Sequence, residues 1–138
     1  MNVKSIIAGI PLVLAVVAAE GGNQPNTNPT STDCLAAAIY KEARGEDLRG
    51  KLAVAQVVLN RGTNICVTIN QPGQFSWRAT DRLYYDNYHY NLAAKILDRG
   101  WAIKGFTATH FHSLNVQPNW SGYQTTIGNH KFYYLPPP

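Results

Sequence analysis

The stretch Ile39-Tyr40-Lys41-Glu42-Ala43-Arg44-Gly45-Glu46, followed by Gly50 and then by Ala53-Val54-Ala55-Gln56-Val57-Val58-Leu59-Asn60-Arg61, decides how this chain reads. It holds the end of one helix, a turn at Gly45 and the body of a second helix. The first helix is expected to start at a cap on Thr32 or Asp33 and to run to about Arg44, with Gly45 as its stop. The second is expected from about Asp47 to Arg61, where Leu48, Leu52, Ala55 and Leu59 form an apolar stripe widened by Val54 and Val58, and Gly62 ends it. Leu35, Ala38 and Ile39 precede Glu42 by seven, four and three residues, which puts this carboxylate on the apolar face of the first helix, near its C-terminal end. A carboxylate there is costly unless it is paired or protonated. Partial burial, the like charge of Glu46 four residues on and the negative end of the helix dipole all favour the protonated acid. Such an acid can give its proton to a leaving glycosidic oxygen. The same placement equally suits a structural ion pair with Arg44 or Arg61, and periodicity leaves the two readings even.

Outward from this core, a third helix is expected over about Tyr84 to Arg99, with Tyr85, Leu92, Ala93 and Ile96 on its buried side and Gly100 at its end. Asn64 to Asp81 reads as loop. Thr107 to Ser113 alternates and suggests a short strand, and Lys131 to Leu135 suggests another. The body is therefore read as α+β, mostly helical first, with a few short strands toward the C-terminus. Upstream, Lys4 precedes an uncharged apolar run from Ser5 to Ala19 that closes on Val17-Ala18-Ala19, the pattern of a secretory signal. The run is short for a membrane span of about 20 residues, so residues 1–19 are read as a cleaved signal or a weak anchor that meets the membrane only transiently. Glu20 to Thr32 is a polar linker rich in Gly, Asn and Pro, and the catalytic domain is assigned to 33–135.

The 138 residues amount to one domain, and a charged fraction of 14% with 45% hydrophobic content excludes disorder of the body. The net charge of +4 suits an anionic partner. With no run of basic residues and no nucleic-acid motif, that partner is not read as nucleic acid.

The quoted stretch closely resembles the family of cell-wall hydrolases related to the spore-cortex-lytic enzymes. Gln74-Phe75-Ser76-Trp77, Thr109-His110-Phe111-His112, Pro118, Trp120, Gly128-Asn129-His130 and Phe132-Tyr133 resemble later segments of that family, in order, from about Asp33 to Tyr133. The resemblance implies a lysozyme-like fold, cleavage between N-acetylmuramic acid and N-acetylglucosamine in peptidoglycan, Glu42 as the acid, and no metal or other cofactor. It also implies action at the wall or in the periplasm, by hydrolysis or by lytic transglycosylation. A retaining glycosidase needs a second carboxylate about 5 Å from the first. Glu46 and Asp81 are possible seconds that nothing in the sequence places; with one carboxylate, the substrate's own N-acetyl and 6-hydroxyl groups would complete the reaction. Glu46, Gln74, Ser76, His110, His112 and His130 are candidate sugar contacts, as are the stacking rings of Phe75, Trp77, Trp120 and Tyr133, with Tyr123 a further aromatic. Turn chemistry and core packing explain single members of this set equally well. His110 and His112 share a strand face that His130 could join; such a trio can hold zinc, but structural or sugar-binding roles fit better.

Cys34 and Cys66 are the only cysteines. In an exported chain an even count suggests a disulfide. A rival reading makes Cys34, at a helix start, the nucleophile of a wall peptidase with His110 or His130 as its base. A second rival is a non-catalytic wall-binding module. The expected form is a monomer.

Overall fold

The computed structural model describes residues 28–71, Phe75 and residues 83–137. The signal-like segment, the first part of the linker, Gln74, Ser76, Trp77 and Asp81 lie outside the described residues. Among the described residues there are four helices, α1 (Ser31–Ala43), α2 (Leu48–Arg61), α3 (Ile65–Asn70) and α4 (Asn87–Arg99), and three strands, β1 (His110–Ser113), β2 (Tyr123–Ile127) and β3 (His130–Tyr133). The architecture is α+β, as expected. No helix in this set is long and apolar enough to cross a membrane.

Helix α1 is the centre of the molecule. Cys34, Leu35, Ala36, Ala37, Ala38 and Ile39 are all fully buried, so this helix is covered on every side, by α2, α3 and α4. The run of alanines lets those neighbours approach closely. The helix starts earlier than expected, because Thr30 and Asp33 form a capping box: the Asp33 N–H donates to Thr30 Oγ1 at 3.2 Å and the Thr30 N–H donates to Asp33 Oδ2 at 2.7 Å. Tyr85 Oη donates to Asp33 Oδ1 at 2.7 Å and so ties the approach to α4 onto the start of α1. Burial alone would raise the Asp33 pKa, but the hydrogen bonds from Tyr85 and Thr30 hold it below its ordinary value.

Helix α2 follows the expected bounds, capped by Asp47, and buries Val54, Ala55 and Val58 as expected but not the leucines of the stripe. Ala53, Val54, Val57 and Val58 face the core, while Leu48 is 46% exposed and Leu52 and Leu59 are half-buried. Small and β-branched side chains fit the narrow space against the alanine-rich α1 better than leucines do. Lys51 is buried too, and its ammonium donates to the carbonyl oxygens of Arg44 and Glu46, which closes the C-terminal end of α1. Helix α3 falls where loop was expected. Ile-Cys-Val-Thr-Ile-Asn has no helical preference of its own; the turn is capped by Asn64, whose Oδ1 accepts from the Val67 N–H at 3.1 Å, and is fastened by Cys66. Helix α4 begins at Asn87 after the Asp86 cap, three residues later than expected, and ends on Gly100 in the left-handed region.

The sheet is antiparallel in the order β1-β3-β2. Strand β2 was not expected; it joins β3 through a two-residue loop, Gly128-Asn129. Phe132 in the central strand is fully buried and packs edge-on to Phe106, which seats the sheet on the helices.

Cys34 and Cys66 form a disulfide with a Cα–Cα separation of 5.3 Å, and no free cysteine remains. Cys34 is fully buried. This overturns the cysteine-peptidase reading, since the thiol that would attack is committed to a bond and shut away from solvent. The bridge closes a 32-residue span, which in the chain-entropy account contributes about 3.5–4 kcal/mol. A Cys34→Ala, Cys66→Ala double variant is expected to lose about that much in urea unfolding. An unfolding curve indistinguishable from that of the oxidised parent would show that the bridge adds nothing.

Candidate active site

Glu42 lies in the last turn of α1, where the helix emerges from the core, and is half-buried. Because Cys34 to Ile39 are buried all round, the apolar spacing that pointed to Glu42 is one side of a fully covered helix, and what distinguishes Glu42 is the place where that cover ends. It lines a groove of about 570 Å³. Strand β1 supplies four consecutive lining residues, His110, Phe111, His112 and Ser113. Successive side chains of a strand point to opposite faces, so the groove follows the free edge of β1. Arg61, Phe75, Val116, Trp120, His130 and Leu135 complete the wall.

The end of α2 sets where β1 lies. Asn60 Nδ2 donates to the carbonyl oxygens of Ala108 at 2.8 Å and Phe106 at 3.3 Å, and Arg61 Nε donates to Thr109 O at 2.5 Å. These two side chains satisfy the backbone of the segment that runs into the strand. The Arg61 guanidinium lies 5.7 Å from the Phe75 ring centre. Its Nη1 is buried without a hydrogen-bond partner, and burial pushes the guanidinium pKa down from its ordinary value.

Glu46 holds the other side. Its Oε1 accepts the Asn129 N–H at 2.9 Å and its Oε2 accepts from Asn129 Nδ2 at 3.0 Å, so a carboxylate in the α1–α2 loop grips the β2–β3 turn 83 residues away. Its side chain is 7% exposed. Two glycines make room for it. A Cβ on Gly50 would stand 2.7 Å from Glu46 Cβ, and one on Gly128, at φ +57°, would stand 2.1 Å from Glu46 Oε1. Positive φ at Gly128 with none at Asn129 is the sign pattern of a type II′ hairpin turn. The Asn129 N–H holds the Glu46 carboxyl below its ordinary pKa, against the cost of burial.

The histidines divide between the two faces of the sheet. His110 and His112 share one face, as expected for a strand, and Tyr133 lies opposite His110 in register. The His112 tautomer follows from its partners: Nδ1 is 2.7 Å from Ser113 O, which can only accept, so Nδ1 carries the proton and Nε2 accepts from Tyr133 Oη at 3.0 Å. The rings of Tyr133 and His112 stack at 5.2 Å, and Trp120 meets His110, His112 and Tyr133 edge-on at 5.4–5.7 Å. Trp120 is 38% exposed, so this cluster presents one open aromatic surface on a rigid base. His130 is paired with Ser113 and stands on the opposite face, edge-on to Phe111 at 5.1 Å. Burial, helped by the Arg61 charge, lowers the pKa of His110; burial also lowers that of His130, partly offset by Glu46. Both rings are therefore neutral near pH 7.

Of the residues expected to contact substrate, the groove gathers Phe75, His110, His112, Trp120 and His130 around Glu42. Tyr133 stands behind His112 and Trp120, and Tyr123 packs on Tyr133 at 5.8 Å with its ring 57% exposed. The Glu46 carboxylate is committed to Asn129. Sequence reasoning quoted Arg61, Phe111 and Asn129 within the family-like segments, gave Arg61 a role only as an ion-pair partner and the other two none, and did not single out Ser113; the Asn60-Arg61 pair at a helix end was the available signal. Glu42 is the one carboxylate lining the groove among the described residues: Asp33, Asp47 and Asp86 serve as helix caps, and Asp98 is exposed on α4. No group of three His, Cys, Asp or Glu in this set could hold a metal ion.

A family model described as cell wall hydrolase matches residues 45–133. Two solved structures share the fold. One is the catalytic domain of the germination-specific lytic transglycosylase SleB from Bacillus anthracis, at 27% identity and a TM-score of 0.62, covering 80% of this chain and 99% of that one. The other is the catalytic domain of the Bacillus cereus SleB protein, at 27% identity and a TM-score of 0.61, covering 82% and 99%. No curated protein matches the chain.

Two predictions test the Glu46 bracket. Gly128→Ala, which combines a left-handed backbone with a clash on Glu46, is expected to cost about 2 kcal/mol or more, read as a lower urea midpoint. The carboxyls of Glu46 and Asp33 have folded pKa values below their ordinary 4.5 and 3.8. Their contribution to stability is therefore complete above those values and is lost as the pH falls through the folded ones. Melting temperature should drop on acidification below about pH 5, and Glu46→Gln should flatten that drop. A parallel pH dependence in parent and variant would refute the assignment.

Proposed function

Because the chain belongs to the cell wall hydrolase family, we propose that it cuts the glycan strands of peptidoglycan between N-acetylmuramic acid and N-acetylglucosamine, with Glu42 as the general acid. The observation that carries this reading is that, among the described residues, one carboxylate lines a groove otherwise walled by imidazoles, aromatic rings and one arginine. Trp120 and the rings beneath it offer a face on which a pyranose stacks. The Glu42 carboxyl gives its proton to the glycosidic oxygen as the bond to the anomeric carbon breaks. A second carboxylate about 5 Å away would be needed to trap the sugar covalently, and none of the described residues brings one to the groove. The substrate's own groups then complete the reaction: the N-acetyl carbonyl shields the anomeric carbon and the 6-hydroxyl closes on it as a 1,6-anhydro ring. Glu42 ends the cycle by taking a proton back. The similarity to a lytic transglycosylase at 27% identity supports this outcome over hydrolysis.

The enzyme is proposed to act as a monomer without a cofactor, outside the cytoplasm, where a signal-like N-terminus would deliver it and where its net charge of +4 favours an anionic wall. The test is mass spectrometry of soluble products from purified peptidoglycan. The expected result is anhydro-muropeptides, formed at least about 100-fold more slowly by Glu42→Gln with an unchanged circular dichroism spectrum. Reducing-end products with the same dependence would make it a muramidase. A fully active Glu42→Gln would remove Glu42 from the mechanism, and binding without cleavage would leave only a wall-binding module.

A further inference from the structure

His130 packs edge-on to Phe111 and Phe132, and it also stands between the groove and Glu46. It lines the groove that Glu42 lines, and its side chain is only 11% exposed. Among the described residues its enclosed Nδ1 has no hydrogen-bond partner, and it stands 3.7 Å from Glu46 Oε1. A lone pair on Nδ1 would face the negative oxygen, so the proton of the neutral ring belongs on Nδ1 and the lone pair on Nε2. Glu46 is held for this by both Asn129 hydrogen bonds and by the space left at Gly50 and Gly128. The result is a carboxylate behind the Nδ1 edge of an imidazole that lines the groove, an arrangement suited to orienting a histidine base and stabilising its protonated form. A neutral resting ring is what such a base requires, and burial keeps it neutral.

We propose that His130, positioned by Glu46, is the first acceptor of the substrate 6-hydroxyl proton in the ring-closing step; this rests on the lytic reading above. As the bond from O6 to the anomeric carbon forms, the O6–H bond breaks and its proton passes to His130 Nε2. The imidazolium formed lies against the Glu46 carboxylate. Water then takes the proton from Nε2 and returns one to Glu42, which gave its own to the leaving oxygen, so no proton is gained or lost. Division of labour follows: Glu42 serves the leaving oxygen and His130 the attacking one.

The charged and titratable groups facing His130 are Glu46 from the α1–α2 loop, His112 from β1, and Glu42 and Arg61 across the groove. Of these, Glu46 is the one whose removal lowers the proton affinity of the ring. The experiment follows anhydro-product formation against pH for the parent, His130→Gln and Glu46→Gln. His130→Gln should reduce kcat about 100-fold with KM within about threefold, and should lose the acid limb of the profile. Glu46→Gln should move that limb to lower pH. A His130→Gln enzyme within about threefold of the parent, or an acid limb that stays in place in both variants, would overturn the proposal. Nitrogen-15 NMR of the parent chain decides the matter even if a variant does not fold: a protonated Nδ1 and bare Nε2 are expected, and the opposite tautomer would sink the idea. Anhydro products with an unaffected His130→Gln would remove this inference alone, whereas reducing-end products from the parent would remove the lytic reading with it.

Discussion

The Glu46–Asn129 contact joins the two halves of this protein. The helices before residue 71 and the strands after residue 110 share one hydrophobic core, and at its rim the Glu46 carboxylate accepts both a backbone and a side-chain N–H from a hairpin turn. Buried charge is costly unless fully hydrogen-bonded, so the turn must sit where it does for the loop to be stable at all. Asn60 and Arg61 make the complementary attachment, from the far end of α2 to the segment that enters β1. Between these two attachments the edge of β1 is fixed relative to the last turn of α1, and the groove is the space left over.

That last turn owes its position to burial rather than to amphipathicity. Helix α1 is covered on all sides from Cys34 to Ile39, capped by Thr30 and Asp33 at one end and closed by Lys51 at the other. Each large side chain buried there contributes about 1.5–3 kcal/mol, and the disulfide adds a covalent hold to α3. A helix so constrained cannot tilt or slide, and Glu42, one turn beyond the buried segment, inherits that rigidity. A proton donor must be held to a fraction of an ångström and a few tens of degrees to be effective.

Much of this was legible in the residues. The three long helices, the Gly100 stop and the disulfide follow from local rules about apolar periodicity, glycines and paired cysteines. Strand β1 was visible because it alternates. Helix α3 and strand β2 were not: α3 is a β-branched hexapeptide held by a cap and a bridge, and Tyr123 to Ile127 becomes a strand only because Gly128 and Asn129 turn the chain back onto β3. Register and bond partners are long-range facts. The stripe on α2 was right in Val54, Ala55 and Val58 and wrong in its leucines: leucine marks an apolar face in isolation, but against an alanine-rich neighbour the smaller side chains, with Val57, were the ones that fitted.

The same distinction applies to the site. Glu42, three histidines and Trp120, which line one groove, were singled out by residue type and by family resemblance, whereas the contact of Glu46 with Asn129 could not be. A second acidic residue four positions after the first looks, in sequence, like a second catalytic carboxylate or a like charge acting on the first. In the fold its oxygens are spent on Asn129, with His130 Nδ1 close behind. Its negative charge thus lies beside an imidazole that lines the groove. Several residues of the Glu-Ala-Arg-Gly-Glu and Gly-Asn-His segments are therefore one mechanical unit: Gly50 and Gly128 admit the carboxylate, Asn129 holds it, and His130 receives its field. Among the described residues Glu42 is the one carboxylate lining the groove, and this unit ends on His130, the residue proposed to take the second proton.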